Sequence, residues 1–148
     1  MTGAGITGLT NPTYTLVADG GAPQGVTRSW YVSALGGTQP GVTTHTIGSP
    51  FTVSWKNPSV LSAPGTVDVS GVYRNPSRRN KYSLVVRKGG KPVPNQPERL
   101  NMIRVDFDIE AGVETTDPAQ LYALLSLTIG SLTQMQNGIR DTILTGAP

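Results

Sequence analysis

The chain contains no cysteine, so disulfide bridges and thiolate metal centres are excluded. It has one histidine, His45, set in an unpatterned, threonine-rich segment. Its plain reading is an exposed loop histidine, and no nucleophile–base pair can be assembled around it. Charge is scarce as well: only 14% of residues carry one, and the polar remainder is Ser, Thr, Asn and Gly. Such a neutral-polar surface suits a protein that packs against copies of itself. No run of about 18 apolar residues is present, so no membrane span is expected. Met1-Thr2-Gly3-Ala4-Gly5 lacks the basic and apolar regions of a secretory signal, which points to a protein made and used in a cytoplasm. The glycines of Thr2–Gly8 lack dinucleotide-binding spacing and follow no strand. These absences argue against an enzyme: no catalytic residue, cofactor or metal is expected.

Turn residues are plentiful. Eighteen glycines and twelve prolines punctuate 148 residues, a length that suggests one domain, 1–148. Between them lie runs that alternate apolar and polar, the period of a half-covered strand. Thr13–Ala18 and Val26–Ala34 read as a hairpin across the loop Asp19–Gly25, and Phe51–Lys56 as a further strand. The long stretch Val67–Ile109 reads as three more: Val67–Arg74, Lys81–Lys88 and Leu100–Ile109. A turn, Asn75–Asn80, joins the first two, and a Gly/Pro-rich loop, Gly89–Glu98, joins the last two. Leu100 and Met102 break phase with Ile103 and Val105, so a bulge is expected near Met102. Residues 1–112 thus form a β body.

Residues 113–148 change period and read as a helical arm. Asp117-Pro118 is a helix start, an acceptor side chain followed by proline at the first helical position. Leu121, Leu124, Leu125, Thr128 and Leu132 make one stripe, but Tyr122, Ala123, Leu127 and Ile129 fill much of the remaining circumference. A helix apolar nearly all round must be covered on most sides. One sheet and one helix hairpin cannot do that, so a symmetric dimer is expected, each arm lying over the other subunit's sheet. Asn137-Gly138 should break the helix, leaving Ile139–Leu144 as a second, short one.

The net charge is +3 with pI ≈ 9.5, and nine of the twelve Lys and Arg residues fall between Arg74 and Arg104. Strand parity gathers Lys56, Arg74, Lys81 and Arg87 on the open face, with Ser54, Ser70 and Ser83 between them. Arg78 and Arg79 flank the turn before Lys81. Cations that neutralise phosphates, with small side chains between them that reach bases, are the ingredients of a nucleic-acid surface. The plain alternative is a basic hairpin that is merely soluble. Asp106, Asp108 and Glu110 share one strand face, but no glycine-turn calcium loop accompanies them. They read as a solvated or cross-paired row.

The run Asn75-Pro76-Ser77-Arg78-Arg79-Asn80-Lys81-Tyr82-Ser83-Leu84-Val85-Val86 resembles the coat proteins of single-stranded RNA bacteriophages, the leviviruses. Thr15-Leu16-Val17-Ala18-Asp19-Gly20-Gly21, Leu100-Asn101-Met102 and Gln120-Leu121-Tyr122-Ala123-Leu124 look like that family's first hairpin, last strand and first C-terminal helix, in the right order. The resemblance implies an α+β fold: an N-terminal β-hairpin, a five-stranded antiparallel sheet and two C-terminal helices, interlocked in a homodimer. It implies that dimers build a T=3 icosahedral shell, the virion, in the cytoplasm of a bacterial host. It further implies that the sheet faces single-stranded viral RNA and binds a stem-loop, repressing translation and marking the genome for packaging. Lys81, Ser83 and Val85 match RNA-facing positions of the family, as do Arg99 and Asn101 on the last strand. The expected RNA-binding set is Arg74, Arg78, Arg79, Lys81, Ser83, Val85, Arg87, Arg99 and Asn101. The sequence departs from the pattern at Val85, where some members have lysine, and at Asn101, which shares the parity of Ile103 and Val105. The rival reading is a dimeric cellular RNA-binding repressor that forms no shell.

Overall fold

In a computed structural model, which describes residues 1–20, 26–74 and 78–146, strands precede helices along the whole chain. The order is β1 (Thr10–Ala18), β2 (Thr27–Thr38), β3 (Phe51–Lys56), β4 (Thr66–Val67), β5 (Tyr73–Arg74), β6 (Arg79–Gly90), β7 (Arg99–Glu110), α1 (Val113–Thr116), α2 (Pro118–Gln134) and α3 (Gln136–Thr145). Five strands form one antiparallel sheet in the order β1-β2-β3-β6-β7. The expected N-terminal hairpin is β1–β2, and it is continuous with this sheet rather than separate from it.

Alternation sorts the side chains as the sequence indicates. The register row Trp30–Val53–Val86–Ile103 lies on one face, beside the row Arg28–Trp55–Leu84–Val105. Trp55 packs with the rings of Tyr82 and Phe107, at centroid distances of 6.1 and 5.5 Å. This is the helix-side face, because Leu121, Leu125 and Ile129 of α2 line a cavity of about 380 Å³ together with Trp55, Tyr82, Phe107 and Ile109. The opposite face carries the row Ser29–Ser54–Val85–Arg104.

Three expectations are corrected. Val67–Arg74 is not a strand of the main sheet: among the described residues β4 and β5 pair only with each other, as a separate two-stranded hairpin. Asp68 folds the stretch back on itself. Its carboxylate accepts from the amides of Ser70 and Val72, and Gly71 takes the left-handed conformation (φ 77) that the turn requires. No bulge occurs near Met102, since β6 and β7 stay in register from Arg79↔Glu110 to Gly90↔Arg99. Leu100 and Met102 simply stand on the open face, more than half exposed. Finally, Asn137-Gly138 does not break the helical arm. The break falls at Met135, and Asn137 lies inside α3, where its carbonyl oxygen accepts from the amide and hydroxyl of Thr7. That tertiary contact holds the N-terminal arm against α3. Pro118 does open α2 behind Asp117, though the Asp117 side chain makes no capping bond.

The two sheet edges differ. β1 is partly covered by the arm: Thr2 bridges Thr13, and the Gly3 amide donates to Pro12. β7 presents a twelve-residue outer edge with no strand beside it among the described residues. A long open edge of this kind is a template for pairing with another chain.

The helical arm is equally uncovered. α2 has no buried residue, and Leu124, Leu127, Ile129 and Leu132 are 54%, 70%, 61% and 47% exposed. Among the described residues, the buried apolar side chains are Val32, Val85, Ala111 and Pro12. The accessible surface is 10466 Å², whereas a compact monomer of this mass exposes roughly 7,300 Å². The surplus is roughly 3,000 Å² per chain, or roughly 6,000 Å² for a pair, the upper end of what obligate interfaces remove.

Candidate nucleic-acid interface

β6 positions the basic face. It pairs with β7 along its whole length and with β3 from Ser83 to Lys88, so its side chains must alternate strictly. Tyr82, Leu84 and Val86 claim the helix side, which sends Lys81, Ser83, Val85 and Arg87 to the open side. The cross-strand rows there read Lys81–Asp108, Lys56–Ser83–Asp106, Ser54–Val85–Arg104 and Thr52–Arg87–Met102. Small side chains make the floor: Ser54 and Val85 are 4% and 1% exposed, and the Ser29 and Ser54 hydroxyls share a hydrogen bond of 2.9 Å. Long cationic side chains stand around it. Lys56, Lys81, Arg87 and Arg104 have no ion-pair partner among the described residues.

The expected residues divide into five groups. Lys81, Ser83 and Arg87 share the open face. Val85 is on that face too, but its side chain is buried and leaves no surface for a ligand, so it serves as floor. Arg74 is displaced: it sits on the small β4–β5 hairpin, where its Nε lies 2.9 Å from Asp68 Oδ2. Arg99 and Asn101 lie in unbroken register with Gly90 and Lys88, on the face of Ile103 and Val105, opposite Lys81. Arg78 and Arg79 stand at the start of β6, both exposed. Arg79 is drawn into ion pairs with Asp108 (3.8 Å) and Glu110 (3.5 Å). Of the turn before them, residues 75–77 lie outside the described residues, as do 21–25 of the first loop.

Arg104 is not in the expected set; the sequence left open whether Asn101 or the row Arg104, Asp106 and Asp108 shares the face of Lys81, and the register puts Arg104 there. The acids that share its parity are on the face as well. Asp106 and Asp108, with Lys56, Asn57, Lys81 and Ser83, line a cleft of about 440 Å³ where β3 ends and β6 and β7 run on. The face therefore carries both signs, with cations in excess.

Asp68 shows how firmly the neighbouring hairpin is pinned. The Val72 amide first, and then the Arg74 guanidinium, hold its carboxyl below the usual aspartate range. His45 is structural, its Nδ1 accepting from the Phe51 amide at 3.0 Å. Lys88, on the helix-side face, lies over the Phe51 ring and donates to the hydroxyls of Thr43 and Ser49.

Among solved structures, the chain is similar to the virus-like particle of bacteriophage ESE020, with 43% sequence identity. The match covers 100% of this chain and 95% of that one, with a TM-score of 0.92. It is also similar in fold to the virus-like particle of bacteriophage NT-391, at 14% identity and a TM-score of 0.51, over 90% of this chain and 93% of that one. No protein-family model and no curated protein matches the chain.

Proposed function

Because the chain belongs to the family of the bacteriophage ESE020 virus-like-particle protein, we propose that it is the capsid protein of a single-stranded RNA bacteriophage, structural and non-enzymatic. Two copies join through the outer edge of β7, and each helical arm covers the other subunit's sheet. This dimer answers both unpaired features at once: the twelve-residue edge and the surplus apolar surface. Dimers then assemble into a T=3 icosahedral shell, the virion, inside the host bacterium. The open sheet faces inward and binds the genome, including a stem-loop whose capture represses translation and selects the RNA for packaging.

The observation that carries the RNA assignment is the set of cations on the open face, Lys56, Lys81, Arg87 and Arg104, held over a small-residue floor without ion-pair partners among the described residues. A salt titration of RNA affinity tests it. Log affinity should fall linearly with log salt, at a slope of roughly −0.7 to −0.9 per phosphate contact. Lys81→Ala and Arg87→Ala should each flatten that slope by about one contact. Identical affinities and slopes in wild type and both variants would refute the assignment. Electron microscopy of expressed protein tests the shell: particles are expected, and dimers alone would favour the repressor reading.

A further inference from the structure

The acids on a phosphate-binding face call for an explanation. Asp108 is engaged by Arg79 at 3.8 Å. Asp106 is not: it is exposed, lines the 440 Å³ cleft beside Lys56, Ser83 and Lys81, and has no ion-pair partner among the described residues. An ionised carboxylate accepts hydrogen bonds and donates none. Beside phosphates it repels; beside a base edge that offers donors it attracts. Among the Watson–Crick edges, guanine alone presents two adjacent parallel donors, N1–H and the N2 amino group, which match the two oxygens of a carboxylate. Adenine and cytosine set a ring-nitrogen acceptor next to their one amino group, and uracil flanks its N3–H with carbonyls. Each of these turns an acceptor towards the carboxylate.

We propose that Asp106 reads an unpaired guanine of the bound RNA through its Watson–Crick edge, while Lys56 and Lys81 hold the flanking phosphates. The inference rests on the open face being the RNA surface, and it names the base which that surface selects. An unpaired base is required, because in a duplex the same edge is occupied; loops and bulges are where proteins read RNA sequence. The charges divide the work: the lysines give affinity to any RNA, and the carboxylate discriminates.

The test uses full-length protein and a set of synthetic hairpins with randomised loops and bulges. Selection by wild type should enrich guanine at one unpaired position. Replacing that guanine by inosine, which lacks only the N2 amino group, should weaken binding roughly tenfold. Asp106→Asn keeps the size but swaps one acceptor for a donor. It should abolish the guanine–inosine difference, weakening binding to the selected guanine hairpin while tightening binding to hairpins that lack it, because a negative charge leaves the face. The proposal is overturned if wild type binds every loop base alike, or if Asp106→Asn keeps the wild-type preference. It is equally overturned if Asp106→Asn loosens the dimer and leaves the preference unchanged, for then the carboxylate serves the subunit joint. Lys81→Ala separates the two readings. If it flattens the salt slope while Asp106 variants show no base effect, the RNA face stands and this inference alone fails.

Discussion

Leu127 offers the sharpest test of subunit pairing. It lies in the middle of α2 and is 70% exposed in the single chain. Burying a leucine side chain completely stabilises by about 1.5–3 kcal/mol, so covering what is left exposed is worth about 1–2 kcal/mol. A symmetric dimer buries it twice, for about 2–4 kcal/mol. Alanine keeps one side-chain carbon, so Leu127→Ala should forfeit about 1.5–3 kcal/mol of association, a roughly 10- to 150-fold weaker dimer. Ser126→Ala, an exposed neighbour on the same helix, is the control and should stay within about 0.5 kcal/mol of wild type. Sedimentation equilibrium on protein held below its assembly concentration reads the dissociation constants directly. Urea melts at two protein concentrations supply a second reading, since the midpoint of an obligate dimer rises with concentration. A wild-type chain that sediments as a folded monomer throughout, or a Leu127→Ala dimer no weaker than the Ser126→Ala control, would refute the reasoning.

Two further outcomes are expected. Asp68 has a depressed carboxyl pKa in the folded chain, so its support of the β4–β5 turn is complete at neutral pH and persists above the ordinary aspartate value of about 3.9. That support is lost as pH falls through the lowered folded value. The amide resonances of Ser70 and Val72 should move together in that acid range and be displaced at all pH values in Asp68→Asn; flat titration curves would contradict the turn. Removing residues 92–97 from the exposed loop between β6 and β7 should disturb particles while leaving dimers intact. Here Pro92, Pro94 and Pro97 prevent regular pairing. Size-exclusion chromatography with electron microscopy distinguishes the outcomes, and loss of the dimer would show that the loop belongs to the subunit joint.

The alternating pattern was legible wherever a strand lies inside the sheet. Lys81–Lys88 could be assigned residue by residue, because an unbroken ladder with β7, a second with β3 from Ser83 on, and one covered face leave β6 no second register. The same pattern misled at Val67–Arg74. There, alternation is compatible with a hairpin that turns on Asp68 and Gly71, and only the partner strand tells the two apart. Arg74 consequently left the expected site for an ion pair with Asp68. Arg99 and Asn101 could be placed by parity alone: the register sets them on the face of Ile103, opposite Lys81. Val85 shares the face of Lys81 as parity indicates, yet its side chain is buried, since exposure depends on the height of neighbouring side chains across three strands.

The sequence by itself determined the local periods, the start of α2 at Pro118, the concentration of positive charge after Arg74 and an arm too apolar to stand alone. These are properties of neighbours along the chain, set by backbone geometry and side-chain chemistry within a few residues. Only the tertiary structure decided which strands pair, where the helical break falls and which charges meet. It joined the first hairpin to the main sheet, left β7 with an open edge, moved the break to Met135 and set Asp106 beside Lys56 and Ser83. Residues 56, 83 and 106 become neighbours through hydrogen-bond register across strands, and no periodicity within one strand encodes that register.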